Sequence, residues 1–513
     1  MSYNTISKMF YSVAKNANDK KILFYKDQNS WSSLTGKDVI SIVKKISFSL
    51  HSNDICPQDR VAIISNTSYK WALCDYGIIS MGAVTTTVYP SLLPNQIEYI
   101  LQDSKSKLIF VEDELQLEKI KSIKDNCPSL KKIIVMNNSY DGEEKFVQNL
   151  NSFLIVDPEY VKVAELDFNK MINIAKPNDL LTLIYTSGTT GTPKGVMLTH
   201  ENLIANIVAV EKVQPNIKNE TFLSFLPLSH VLERMGGHFF AFYLNSKIYY
   251  AENMETVAKN MEEVSPSVVV CVPRFFEKMY NAVIKGVREG SPIKKKLFWW
   301  AINIGKDYVA SKHANNKISL YLKFRHKVAD KLIYSKIKSK IGGNIKFFIS
   351  GGAPLSRDVA EFFASLNVTI LEGYGLTETS PVLTSNTPAN IRFGTVGKPL
   401  DNVELKIAND GEILAKGPNI MAGYYNNKEA TDEVIDSDGW FHTGDIGEFD
   451  KDGFLKITDR KKSLIVTSGG KNIAPAPLEN ALLGSEYIEQ VLVLGDKRNF
   501  LSALIVPLFD NVE

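Results

Sequence analysis

The chain has 513 residues, 44% of them hydrophobic and 23% charged, which excludes a collagen-like chain, a disordered polymer and a small disulfide scaffold. Its formal net charge of +2 points to no particular partner, and the cysteines at 56, 74, 127 and 271 form no C-x-x-C pair, so zinc and thioredoxin-like readings have no support. The start, MSYNTISKMF, has no apolar core behind a basic stretch, and no apolar run approaches the ~20 residues of a spanning helix. The expectation is a cytoplasmic chain.

In chain order, RVAIIS (60–65) reads as a buried strand, 69–82 as a helix and AVTTTV (83–88) as a strand. A helix near 95–103, the strand KLIFVED (107–113), a helix near 114–124 and the strand KKIIVM (131–136) follow. The alternation resumes with PSVVVCVP (266–273), a helix over 274–288, IKFFIS (345–350), a helix near 356–366 and VTILEGYG (368–375). Strand alternating with helix predicts α/β units, each with a parallel sheet covered on both faces. From about 382 to 458 the texture changes to short β-rich pieces around NDGEI (409–413), SDGW (437–440) and KDGF (451–454). Asp-Gly between apolar runs signals hairpins, hence a small antiparallel or β-barrel-like unit.

Residues 285–346 hold sixteen Lys and Arg against three Asp and Glu, a net of +13, with Lys294, Lys295 and Lys296 beside Phe298, Trp299 and Trp300. Lysines interleaved with aromatic residues suit an anionic lipid interface, and a solvated helical face is the plainer alternative. RNA binding has no motif behind it, and no nucleic-acid partner is expected.

The densest signal is Tyr185-Thr186-Ser187-Gly188-Thr189-Thr190-Gly191-Thr192-Pro193-Lys194-Gly195, behind the apolar strand 180–184. Leu203, Ile207 and Val210 at helical spacing, with Thr199 as a cap, predict a helix after it. Glycines let backbone N–H groups approach phosphate oxygens, the hydroxyls add donors and Lys194 adds a charge. It is not a Walker A loop, because Pro193 precedes the lysine and Gly195 follows it.

This loop resembles the signature of the adenylate-forming superfamily of acyl-CoA synthetases, luciferases and peptide-synthetase adenylation domains. The resemblance continues through Ser350-Gly351-Gly352-Ala353-Pro354-Leu355, Glu372-Gly373-Tyr374-Gly375-Leu376-Thr377-Glu378-Thr379, Gly439-Trp440-Phe441-His442-Thr443-Gly444-Asp445 and Thr458-Asp459-Arg460-Lys461-Lys462. It implies a large N-terminal domain over 1–459, made of two α/β subdomains and the small β unit, then a hinge and an incomplete α+β C-terminal domain over 460–513. It also implies two steps. A carboxylate attacks the α-phosphorus of ATP, releasing pyrophosphate, and a thiol, that of CoA, then displaces AMP from the acyl-adenylate.

By resemblance, Thr186, Ser187, Gly188, Thr189, Thr190, Gly191 and Lys194 cradle phosphates. Glu378 holds Mg²⁺ with Thr186 beside it. Gly351, Gly352, Ala353, Gly373, Tyr374, Gly375 and Thr377 surround adenine, and Asp445 and Arg460 meet the ribose hydroxyls. His230 stands near the carboxylate, and Lys462 marks the hinge. Val272-Pro273-Arg274-Phe275-Phe276-Glu277-Lys278 resembles the gate segment of long-chain acyl-CoA synthetases, with Phe275 and Phe276 at the acyl channel. A long-chain fatty acid is therefore the expected substrate, and 285–346 the expected peripheral contact on the inner membrane face.

The chain departs from the superfamily after the hinge. About fifty residues follow Lys462, and the family's second catalytic lysine has no counterpart. Losing a cation that stabilises developing charge costs on the order of 3 kcal/mol, so weak adenylation and an exposed apolar edge at 501–507 are expected. A carrier-protein thiol as acceptor, and a non-catalytic nucleotide or acyl binder, remain the alternatives; the oligomeric state is not encoded legibly.

Overall fold

The computed structural model describes residues 3–137, 140, 142, 144–186, 192–214, 217–313, 317–461, 465–466, 472–473, 475–483, 485 and 487–512. Two mostly parallel sheets dominate. The first runs, in spatial order, Gly423–Tyr424, Lys194–Thr199, Leu180–Thr186, Val84–Val88, Arg60–Ile64, Leu108–Val111, Lys132–Val135 and Val147–Asn149, parallel from Leu180–Thr186 onward. The second has a parallel centre of Ile370–Gly375, Phe347–Ser350, Val268–Cys271, Thr221–Ser224, Lys247–Tyr250 and Lys21–Asp27, with antiparallel strands at both edges. Every residue of Leu108–Val111, Val84–Val88 and Val268–Cys271 is buried. Strands covered on both faces need continuous apolar runs, which is why the alternation of such runs with helices was legible.

The intervening helices carry their expected caps. Ser68 accepts from Trp71 N–H at the start of Tyr69–Ser80, and Thr199 forms a capping box with Asn202 at the start of His200–Val213. One expectation needs correction. The helix expected after the Tyr185 loop is there, His200–Val213 with Thr199 as its cap, but the loop first leads into an unanticipated strand, Lys194–Thr199, which pairs antiparallel with Leu180–Thr186. Only Lys194 and Met197 of this strand are not buried, and its backbone is held by pairing with Leu180–Thr186.

The small β unit is a four-stranded antiparallel sheet in the order Glu404–Ile407, Glu412–Lys416, Phe441–Phe449, Leu455–Arg460. Asp410-Gly411 and Asp452-Gly453 turn its hairpins, with φ of +87° and +81° at the glycines. The third Asp-Gly, at 438–439, instead closes the bridge between Ile435 and Phe441. Near the end of the chain, Ile488–Leu494 pairs with Ser502–Pro507, and Leu504, Ile505 and Val506 are exposed there as the sequence suggested. Among the described residues, no helix is long and apolar enough to cross a membrane.

A buried ion pair joins the helix Tyr69–Ser80 to the helix Glu233–Phe239. Arg234 donates through Nε to Asp75 Oδ2 at 2.8 Å, through Nη2 to Asp75 Oδ1 at 2.5 Å and through Nη1 to Thr182 Oγ1 at 2.7 Å. Its guanidinium lies 5.4 Å from the Trp71 ring and 5.3 Å from that of Phe239.

Buried imidazoles make stability acid-sensitive. His200 Nδ1 accepts the Ile6 N–H at 3.2 Å, which requires the ring to be neutral. Burial pushes His200 and His238 down from 6.5 to about 3. The unfolded chain takes up protons that these rings refuse, so stability should be full above pH ~6.5 and fall as pH drops towards 3. Urea unfolding as a function of pH measures this; His200→Gln should flatten the slope, and an unchanged slope would assign it elsewhere.

Candidate active site

A cavity of about 650 Å³ opens where the carboxyl ends of Val268–Cys271, Phe347–Ser350 and Ile370–Gly375 meet the small β unit. Ligand crevices of open α/β sheets lie at such ends. The wall includes Thr186, Lys194, His230, Gly351, Gly352, Gly373, Tyr374, Gly375, Thr377, Glu378 and Arg460, all anticipated from sequence. Ala353 is exposed beyond the wall. Ser187, Gly188, Thr189, Thr190, Gly191 and Lys462 lie outside the described residues.

At one end, antiparallel register sets Thr186 opposite Lys194, so the two flank the connection between their strands. The short strand Gly423–Tyr424 pairs with Val196 and Met197 and brings Tyr424 beside them. Lys194 Nζ stands 5.1 Å from the Tyr424 ring, and Tyr424 donates its phenol to Glu378 Oε1 at 2.8 Å. Burial and the Glu378 charge both push that phenol up, so it remains a donor. Glu378 sits on the turn Thr377–Thr379, anchored by Met421 N–H to Glu378 O and by the buried Asn419 side chain to Thr379 O, each 2.8 Å.

At the other end, Tyr374 donates to Asp445 Oδ2 at 2.7 Å and Arg460 Nε donates to Asp445 Oδ1 at 3.1 Å. Asp445 and Arg460 are direct register partners on adjacent strands. Burial raises the Asp445 carboxyl, opposed by the bonds from Tyr374 and Arg460. A carboxylate with spare lone pairs beside a guanidinium is suited to a vicinal diol. Gly375 is required by close approach, since a Cβ there would sit 1.7 Å from the Pro381 carbonyl oxygen.

Sequence reasoning assigned no role to Glu412, His442 or Lys461, yet all three line the cavity. The buried Glu412 accepts from Gly444 N–H at 2.9 Å, pairs with His442 Nδ1 at 3.1 Å and takes Lys461 Nζ at 2.9 Å. Burial alone would raise its carboxyl, but these three bonds together hold it below the ordinary value. One carboxylate thus ties the turn before Asp445 to the residue after Arg460. The acid within Asp-Gly-Glu-Ile, leading into an otherwise apolar short strand, was the available signal.

The third side is apolar: Val231, Met235, Gly236, Phe240, Val270 and Ile349. His230 borders it. Leu232 N–H donates to His230 Nδ1 at 3.1 Å and burial lowers the ring's pKa, so neutral His230 keeps Nε2–H as a donor. Phe275 and Phe276 are not brought to this wall. Phe276 is fully buried, edge-on to Phe348 at 5.4 Å, and Phe275 lies against Phe225 at 5.4 Å.

The sequence profile of the AMP-binding enzyme family matches residues 10–425, and that of the AMP-binding enzyme C-terminal domain matches residues 462–512. The chain belongs to the AMP-binding enzyme family. Among relatives in this family, the long-chain-fatty-acid–CoA ligase FadD15 of Mycobacterium bovis is 36% identical over 477 residues, 93% of this chain and 77% of that protein. The long-chain-fatty-acid–CoA ligase ACSBG2 of Xenopus laevis is 31% identical, over 98% of this chain and 69% of its own length. The O-succinylbenzoate coenzyme A synthetase MenE of Bacillus subtilis, solved with ATP and magnesium ion, superposes with a TM-score of 0.72 over 98% of this chain and 89% of its own. At 21% identity that likeness speaks for the fold of this AMP-binding enzyme.

Proposed function

We propose that this AMP-binding enzyme is an ATP-dependent ligase that joins a long-chain fatty acid to CoA through an acyl-adenylate. The observation that carries the reading is convergence on one cavity. Thr186, Lys194 and Glu378 line one end, Tyr374 and Arg460 line another with the buried Asp445 bonded to both, and an apolar wall begins beside His230. The names of FadD15 and ACSBG2 support the acyl and thiol substrates. A peripheral contact of 285–346 with the membrane in which such an acid dissolves belongs to the same reading.

In this reading Asp445 and Arg460 hold the ribose hydroxyls and Tyr374 backs the base. Lys194 neutralises phosphate charge, and His230 Nε2–H donates towards the acid. The fatty carboxylate oxygen bonds to the α-phosphorus as the bond to pyrophosphate breaks; the CoA sulfur then takes the acyl carbon and AMP leaves. Positioning and charge neutralisation are most of what such a step asks of a protein. The residues fit Mg²⁺: one carboxylate, Glu378, and one hydroxyl, Thr186, leave other positions to phosphate and water, as this cation prefers. When bound it supplies charge for the phosphates. Among the described residues no cluster of three or more His, Cys, Asp or Glu offers a denser metal site.

ATP–pyrophosphate exchange with palmitate tests the first step, and acyl transfer to CoA against a holo-carrier protein tests the second. The expected result is acid-dependent exchange and transfer to CoA. Bound ATP with no exchange above background would make the protein a binder, and transfer to the carrier alone would reassign the acceptor.

A further inference from the structure

The +13 segment is sorted by the fold. The helix Leu320–Ala329 lays one side on the helix Pro292–His313, where His326 stacks on Tyr308 at 4.0 Å and Ala329 is fully buried. At about 100° per residue, Leu320, Phe324 and Tyr321 fall within a ~100° arc on the opposite side. They are 83%, 66% and 70% exposed. The exposed Lys323 and Lys327 border the arc on one flank. Arg325 borders it on the other, 5.4 Å from the Tyr321 ring. Lys317 and Lys331 are exposed just beyond the helix ends, and no acid occurs between Asp307 and Asp330. The neighbouring helix adds exposed Ile293 and Trp299 around Lys294, Lys295 and Lys296.

Three large apolar side chains standing out of a helix cost solvation unless something covers them. The face is convex, so a partner must accept protruding side chains without a matching groove. The flanking cations call for an anionic partner, and their long stems let the charges sit above an apolar layer. RNA would use the cations and Tyr321 but has no use for the aliphatic Leu320. A bilayer interface takes the whole pattern, apolar groups at the depth of the acyl boundary and cations among the headgroups.

We propose that this outward face is a docking surface for anionic lipid, with Leu320, Tyr321 and Phe324 inserted and Lys323, Arg325 and Lys327 against acidic headgroups. The proposal gives the membrane contact of the ligase reading its residues and rests on that reading only for the source of the substrate.

Cosedimentation of the full chain with phosphatidylcholine vesicles, with and without phosphatidylglycerol, tests it. The expected result is binding to the anionic vesicles that weakens about tenfold or more at high salt. Leu320→Ser with Phe324→Ser, and separately Lys323→Glu with Lys327→Glu, should each weaken it about tenfold while ATP affinity is unchanged. No binding to anionic vesicles, or binding that both variants retain, overturns the proposal. So does binding to RNA or polyglutamate in place of vesicles, which would assign the cations to another partner. Vesicle binding without pyrophosphate exchange defeats the ligase reading alone; exchange without vesicle binding defeats the docking surface alone.

Discussion

Glu378→Ala is expected to lower acid-dependent ATP–pyrophosphate exchange by about 10²–10³-fold, the usual cost of removing one group aimed at developing charge in a closed site. The local structure makes this a clean experiment. The turn carrying Glu378 is held by backbone and by the buried Asn419, not by the carboxylate, so the substitution should leave the wall standing. Among the described residues, the carboxylate itself is aimed by one phenol, that of Tyr424 at 2.8 Å. Tyr424→Phe should therefore cost less, about tenfold, because it frees the carboxylate without removing it. The order matters more than either value. If Tyr424→Phe is the more damaging, the phenol and not the carboxylate meets the nucleotide; if Glu378→Ala keeps activity within a few-fold, Glu378 is a structural acid and the cation site must be sought elsewhere.

Those two residues also mark the boundary of what could be read without coordinates. Glu378 was legible only through the resemblance of Glu372–Thr379 to the superfamily's nucleotide motif, whose glycines imply close backbone approach. Gly375 bears this out, with Pro381 O against its missing Cβ. Tyr424 was not legible, since Tyr424-Tyr425-Asn426-Asn427 looks like an ordinary turn and acquires its place by pairing with Val196 far back in the chain. Glu412 was missed for a similar reason, its partners lying 30 to 49 residues away. Strand and helix alternation was readable because burial on both faces leaves a continuous apolar run. The strand Lys194–Thr199 escaped because it is short, lacks alternation, and its first two residues also belonged to the phosphate-loop pattern. Phe275 and Phe276 show the converse limit. Position on a helix says that an aromatic ring is covered, not whether a channel or a packed core covers it, and here Phe348 covers Phe276.

Arg234→Met is expected to lower the unfolding free energy by about 3–5 kcal/mol, the usual result of leaving one member of a buried pair unmatched. Asp75 is fully buried, and among the described residues it keeps, without Arg234, only the Thr85 hydroxyl, 2.7 Å from Oδ1. Thr182 loses its donor in the same substitution. Glu233, next in sequence, does not compete for the guanidinium. Burial raises its carboxyl to about 8, which favours the neutral acid, and the Ser224 hydroxyl donates to it. Combining Arg234→Met with Asp75→Leu should cost less than the two single changes together, because both charges then disappear. Urea unfolding of the four chains measures this, and salt should change the single-variant penalties little, since the pair is shielded from solvent. Strict additivity would mean that the two charges do not act as a pair. The consequence reaches the cavity, because Arg234 is followed directly by Met235 and Gly236 of its apolar wall. A loosened pair should therefore raise the KM for the fatty acid before that for ATP, whose contacts stand on other strands.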